Sequence, residues 1–322
     1  MPYSPNSGVI WYFGAYAMDV IARCSFGIQL DSRKDPNNPF LKAFYFLVWR
    51  SYFVYLFNPS TSLFFKDVAM QIINERKNLK EDQKPKDFLQ LLLEAEKEDS
   101  NSKNGKKNKL YKLDDVVSQC VMFFMVGYFT TAATLSFLAH QLAIKPKIQE
   151  KLIKEIDEVL KGKEKIHIDD VTELRYLDAV LQEILRYYTP AARLKRRPVE
   201  DYKLGDTWII IPKSTLINVP IYAVNHDPQY FPEPDKFDPE RFMPENKNTI
   251  LPFTNLPFGE GPRNCIGKRF ASMEIKMALV KVLQNIRFKP GKNTKEKSEF
   301  FSCGGLHRPQ NVFLNIEPNH HN

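Results

Sequence analysis

From Val116 to Ala139 the chain carries no charged residue, and no other stretch constrains its folding as strongly. A helix of that length reaches roughly 36 Å at 1.5 Å per residue, enough to cross a bilayer. Ser118, Gln119, Thr130, Thr131, Thr134 and Ser136 interrupt the run, which suits a long buried helix of a globular core better than a lipid-facing one. No membrane span is assigned. With 43% hydrophobic residues among 322, the chain can cover such a helix as one large domain or two modest ones, and disorder throughout is excluded.

Helical spacing dominates the first part of the chain. Residues 11–28 stop at Gly27, Asp31 to Pro39 has the composition of a loop, and the aromatic-rich stretch Phe40 to Phe57 reads as a helix ending at Asn58-Pro59. A further helix from Ser62 to Leu79 leads into Asp87 to Glu94, and residues 99–112 read as a solvated, mobile linker. Helices follow over Asp114 to Lys145, Ile148 to Leu160 and Val171 to Tyr188. Trp208 to Pro212 and Thr215 to Val219 are expected to form a strand pair across Pro212-Lys213-Ser214. A proline-rich irregular stretch covers Asp227 to Leu256, a last helix spans Lys268 to Ile286, and Asn311 to Ile316 alternates like a strand. The fold class expected is mainly α with a small β part.

Cys24, Cys120, Cys265 and Cys303 are too few and too scattered for a secreted disulfide framework, and no CxxC pair points to zinc. A reducing compartment is expected. The segment from Met1 to Pro5 reads as neither signal peptide nor anchor. The net charge of +8 is mostly a solvated lysine-rich face, and no aromatic-interleaved basic stripe supports nucleic-acid binding.

One cysteine has a distinctive setting. Residues 257–286 place Pro257-Phe258-Gly259-Glu260-Gly261-Pro262-Arg263-Asn264-Cys265-Ile266-Gly267 directly before a helix. Glycines let backbone pass close to a flat cofactor, and a helix N-terminus presents N–H groups and a positive dipole end to a sulfur that must stay deprotonated. The other three cysteines lack this context and are expected to pack.

This segment resembles the haem-thiolate loop of the cytochromes P450 at every fixed position. The resemblance implies a P450 fold without its N-terminal third, a single partial domain over 1–322, with Cys265 as proximal ligand of haem iron. It further implies that Phe258 packs beside the sulfur, that Gly259 and Gly267 shape the loop, and that Arg263 pairs with a haem propionate. Glu183 and Arg186 in Glu183-Ile184-Leu185-Arg186, with Arg241 in Pro239-Glu240-Arg241-Phe242, resemble the family's buried structural Glu-Arg-Arg network. Arg193 stands where relatives place a second propionate-binding arginine, with Arg196 and Arg197 as neighbours that leave the choice open. Phe13 to Ile21 and Asp31-Ser32 resemble the family 3 and thromboxane-synthase branch.

The implied activity is monooxygenation of a lipophilic small molecule by dioxygen, with electrons from NADPH through NADPH-cytochrome P450 reductase. The implied location is the cytoplasmic face of the endoplasmic reticulum membrane. On the long helix, Val126-Gly127-Tyr128-Phe129-Thr130 stands where the family has Ala-Gly-x-acid-Thr, over the iron, in a helix that opens to admit oxygen. Thr130 is the implied catalytic hydroxyl, Phe129 replaces the acid, and Phe124, Met125 and Val126 are pocket-lining candidates by helix position. Three readings of Phe129 stay open: water replaces the acid, the reaction rearranges a peroxide without protons, or the gene product is degenerate, and the rival to the implied activity is a catalytically inactive P450 fragment or degenerate gene product.

Overall fold

Gly27, in the left-handed region with φ of 62°, ends the first helix where the sequence places its stop. The computed structural model describes residues 8–32, 34–35, 59–101, 112–303, 305–310 and 312–319. In it α1 spans Val9–Phe26, α2 Pro59–Lys77, α3 Phe88–Asn101 and α4 Leu113–Ile144. The helix expected over residues 40–57 lies outside the described residues, as does most of the expected linker, of which α3 takes Asp99, Ser100 and Asn101. The chain divides into two compact units, Met1–Ser136 with Asn311–Phe313 and Phe137–Gln310 with Leu314–Asn322, and the division falls within α4.

In the first unit, apolar faces of α1, α2, α3 and α4 meet around Met18, Ile21, Ile73, Leu89 and Val116, all 2% exposed or less. Phe26 of α1 stacks on Phe124 of α4 at 4.0 Å, and Phe88 of α3 stacks on Phe123 at 3.8 Å. Close approach of α1 and α4 depends on small residues. A Cβ on Gly14 would stand 2.4 Å from the Tyr128 hydroxyl, and one on Gly127 would stand 2.7 Å from Ile21 Cδ1. A buried ion pair ties the end of α2 to this core: Arg76 Nη1 donates to Asp87 at 2.8 Å while Nη2 donates to the Phe26 carbonyl at 2.9 Å. Asp19 and Ser32 explain why both halves of the family 3 likeness belong together. The buried Ser32 donates its backbone N–H to Asp19 at 3.1 Å, and its hydroxyl also bonds that carboxylate, pinning the turn after α1.

In the second unit α5 spans Pro146–Leu160, α6 Ile168–Thr172, α7 Arg175–Tyr187, α8 Ile221–Asn225 and α9 Lys268–Leu283. Pro146 opens α5, where a missing N–H costs nothing, and the helix expected from Val171 to Tyr188 is two helices divided at Glu173-Leu174. Glu155 on α5 caps α7 from outside, accepting from Tyr176 N–H at 2.6 Å and Leu177 N–H at 2.9 Å. Among the described residues the strands form four antiparallel pairs: β1 Leu194–Arg196 with β4 Ile217–Val219, β2 Tyr202–Lys203 with β3 Ile210–Ile211, β5 Ile286–Pro290 with β8 Leu314–Pro318, and β6 Phe300–Cys303 with β7 Leu306–Pro309. The strand pair expected across Pro212-Lys213-Ser214 does not form. Its two halves pair with different partners, because the hairpin turn sits at Gly205 (φ 52°), and Ser214, at φ 65°, donates its N–H to the Pro198 carbonyl. The last helix ends at Leu283, and Ile286 begins a strand instead.

A buried ion pair organises the irregular stretch. Arg186 donates to Glu183 through Nε at 2.7 Å and Nη2 at 2.8 Å, both side chains being fully buried. The same guanidinium holds the carbonyls of Asn225, Pro234 and Lys236 at 2.8, 3.0 and 3.3 Å, while Glu183 accepts from Asp238 N–H at 2.8 Å. Arg241 stands 3.9 Å from Glu183 and bonds the Glu233 carbonyl at 2.9 Å. Burial raises the Glu183 carboxyl above its ordinary value, and the Arg186 bonds oppose that shift.

Replacing one partner strands the other. Arg186→Leu is expected to destabilise the protein by about 3–5 kcal/mol in urea unfolding. The Glu183→Leu/Arg186→Leu double variant is expected to regain the share due to the stranded carboxylate, keeping the loss from three unpaired carbonyls. A pH dependence follows from His140, whose Nε2 donates to the Lys295 carbonyl at 2.8 Å and whose pKa burial lowers from 6.5. Below that value the unfolded chain takes up a proton that the native ring refuses, so stability falls as pH drops. Between about pH 7 and about pH 5.5, His140→Gln is expected to lose less urea resistance than the parent, separating this ring from His226 and His307, which burial also depresses.

Candidate functional site

Short backbone bonds fold the cysteine segment on itself. Gly259 N–H donates to the Leu256 carbonyl at 3.0 Å, Asn264 N–H to Gly261 at 3.0 Å, and Cys265 N–H to Phe258 at 2.8 Å. Gly259 lies at φ of 71°, a conformation that strains any other residue, and a Cβ there would reach 3.6 Å from Leu194 Cδ1. Gly267 caps α9, its carbonyl accepting from Ala271 N–H at 2.8 Å, and the Cys265 sulfur lies 4.0 Å from where a Gly267 Cβ would stand. The sulfur therefore sits at the N-terminal end of a long helix, where unpaired N–H groups and the backbone dipole favour negative charge. Lys268 Nζ stands 5.8 Å over the Phe258 ring, which is half-buried.

Cys265 is exposed, and apolar side chains are exposed beside it: Ile266 at 81% and Phe270 at 39%. Arg263 and Arg193 are exposed as well. Arg193 packs its stem over Gly305, where a Cβ would come within 2.9 Å of Nε. The neighbouring Ala192 is held by an N–H bond to the Gly305 carbonyl at 2.8 Å.

Sequence reasoning left Arg196 as an alternative to Arg193, and the structure gives it a different task. Its Nη2 lies 3.4 Å from both the Glu260 and Arg263 carbonyls, clipping the loop to β1. Strand alternation carries the signal: Leu194 and Arg196 are two apart and point to one face of β1, the face against which the loop lies.

Thr130 belongs to the first unit, and its position is described there alone. Its hydroxyl donates to the Val126 carbonyl one turn back at 2.9 Å, leaving the oxygen lone pairs free to accept. The opening implied for this helix is not present: α4 is continuous from Leu113 to Ile144, and Gly127 serves the approach of Ile21. Of the pocket-lining candidates, Phe124 is 2% exposed in the apolar core and Met125 packs against it, while Val126 is 46% exposed. Phe129 packs against the same core, which accounts for an apolar residue where an acid was expected.

Cys120 is buried, as expected, and burial pushes its thiol up to about 12. Cys24, expected to pack, is exposed, and the side chain of Cys303 lies outside the described residues. His226 is the loop hydrogen-bonder expected of it, donating from Nδ1 to the Tyr222 carbonyl at 2.9 Å.

A haem fits the donor set of the second unit. One accessible sulfur, an adjacent apolar surface and two exposed guanidiniums suit a flat, apolar cofactor that brings its own in-plane nitrogen donors and two carboxylates. A family model described as Cytochrome P450 matches residues 9–316. The chain is 41% identical to cytochrome P450 3A2 of Rattus norvegicus over 88% of its own length and 59% of that protein. It is 41% identical to cytochrome P450 3A6 of Oryctolagus cuniculus over 94% of its length and 64% of that protein, and 40% identical to cytochrome P450 3A7 of Homo sapiens over 88% and 59%. The chain thus spans about three-fifths of the length of these curated relatives. Motif order, helical fold, cysteine loop and these likenesses lead to one conclusion: the chain belongs to the cytochrome P450 family, on its family 3 side.

Proposed function

We propose that this protein is a haem-thiolate monooxygenase acting on a lipophilic small molecule, with Cys265 as the iron's protein ligand. The observation that carries the reading is the exposed Cys265 sulfur at the start of α9, in a turn closed by its own N–H on the Phe258 carbonyl, beside exposed Ile266 and Phe270. A thiolate-bound haem supplies dioxygen activation, one oxygen atom entering the substrate and the other leaving as water at the expense of two electrons and two protons. The electrons come from NADPH through a flavoprotein reductase. The family relationship supports a site of action at the endoplasmic reticulum membrane.

The chain's own residues bind and orient. Cys265 anchors the cofactor, and Gly259 and Gly267 keep backbone low enough for it to approach. Arg263 and Arg193 would pair with its propionates, and the Phe258 ring would pack beside the sulfur. Thr130 offers a hydroxyl on α4 whose lone pairs can accept and whose O–H, now donated to the Val126 carbonyl, could turn to another acceptor. Phe129 has no exchangeable proton and cannot take the acid's part in delivering one.

Expressed with added haem, reduced and exposed to carbon monoxide, the protein is expected to show the long-wavelength Soret band of thiolate ligation, and Cys265→Ala is expected to abolish it. An unshifted band in the parent, or a shifted band surviving in Cys265→Ala, overturns the assignment. Arg196→Ala is expected to unclip the loop without removing a ligand: haem still binds, and the thiolate band converts to the short-wavelength form at least about tenfold faster on warming, corresponding to about 1.4 kcal/mol.

A further inference from the structure

One cavity of the second unit is left unused by the cysteine site. It encloses about 620 Å³ between the end of α6, the start of α7, the turn at Pro239–Phe242, the irregular chain of residues 244–255 and the first turns of α9. That volume falls within the roughly 300–1,000 Å³ of small-molecule sites.

The apolar wall of the cavity continues out to its rim. Phe242 and Ile250 are half-buried, whereas Leu251 is 55% exposed and Phe253 74%. Phe253 also stands in a backbone conformation that favours glycine, with φ of 66°. Leu251-Pro252-Phe253-Thr254 has proline and then a positive φ at its two central places, the pattern of a type II turn. Thr254 closes the turn twice on the Leu251 carbonyl, through its N–H at 3.3 Å and its hydroxyl at 2.7 Å. The ring is therefore strained and unburied at once. Strain held in a closed turn beside a cavity is characteristic of ligand clamps, and an exposed ring has apolar area still to bury.

Charge selects among ligands. Arg175, Lys268 and Lys276 line the cavity with a single carboxylate, Asp178, and Lys276 Nζ already holds that carboxylate at 2.8 Å. Among the described residues neither Arg175 nor Lys268 makes an ion pair, and both are exposed. A polyphosphate would leave the apolar wall wet, and a neutral lipophile would leave both cations unanswered. A molecule with an apolar body and one anionic end satisfies both halves of the lining.

We propose that this cavity binds an amphiphilic organic anion, its apolar body against Phe242, Ile250, Leu251 and Phe253 and its carboxylate, sulfate or sulfonate toward Arg175 and Lys268. The inference does not rest on haem binding, because none of these side chains is assigned to the cofactor.

The test is isothermal titration of the full chain, with and without added haem, using anilinonaphthalenesulfonate and its uncharged counterpart phenylnaphthylamine, which share one apolar body. The sulfonate is expected to bind at least about tenfold more tightly than the amine, and Arg175→Gln/Lys268→Gln is expected to erase that preference. Leu251→Glu sets a carboxylate on the exposed rim and is expected to weaken the sulfonate at least about tenfold, with the urea midpoint unchanged. Phe253→Gly removes the ring and relaxes its turn, so both ligands are expected to weaken about fivefold while the urea midpoint does not fall. Equal affinities for the two ligands in the parent overturn the proposal, as does a Leu251→Glu variant that binds the sulfonate like the parent. Sulfonate binding that disappears once haem is added also overturns it, because the ligand then occupies the cofactor's site.

Discussion

Much of the second unit depends on one buried charge pair. Chain from Asn225 to Asp238 has little regular structure, so its backbone polar groups need partners that no helix or sheet supplies. Arg186 provides donors for three of its carbonyls, and Glu183 provides an acceptor for one of its N–H groups. Two side chains on one helical turn thereby position the chain that leads on to the cysteine segment. Burying them costs desolvation energy that their mutual bonds and their backbone bonds together oppose, which makes the arrangement intolerant of losing either.

The cysteine segment is restrained by its neighbours as much as by its own turns. Its glycines give a path close to Leu194, Arg196 grips two of its carbonyls, and α9 takes over at Gly267. Backbone bonds set the position of the sulfur, and the exposed Ile266 and Phe270 give a cofactor apolar surface to cover. In the first unit, the same economy appears in packing. Gly14 accommodates Tyr128, Gly127 accommodates Ile21, and the apolar cluster they create extends to Phe129. An acid at position 129 would face desolvation there, so the departure from the family motif is compatible with the local core.

Several elements were legible because their signals are local. The uncharged run became α4, Gly27 stopped α1, and Glu183 with Arg186 formed the expected pair because helical spacing alone puts them on one face. Where reasoning missed, a distant partner decided. Trp208 to Pro212 and Thr215 to Val219 both hold strand residues, yet they pair with Tyr202-Lys203 and Leu194–Arg196, since pairing depends on turn conformations and hydrogen bonds across the chain. Arg193 and Arg196 are alike in composition, and only the β1 face distinguishes a loop clip from an exposed cation.

By itself the sequence determined the family, the helical class, the cysteine and the residues able to pair near it, because motif order, periodicity and residue chemistry are properties of the chain as written. Tertiary structure decided which arginine touches the loop, that Gly127 serves α1, that Phe124 belongs to the core, and that Trp208 stands in solvent on the β2–β3 hairpin. Those outcomes depend on what packs opposite each side chain, and that is settled by the folded chain's close packing and hydrogen-bond accounting rather than by any local pattern.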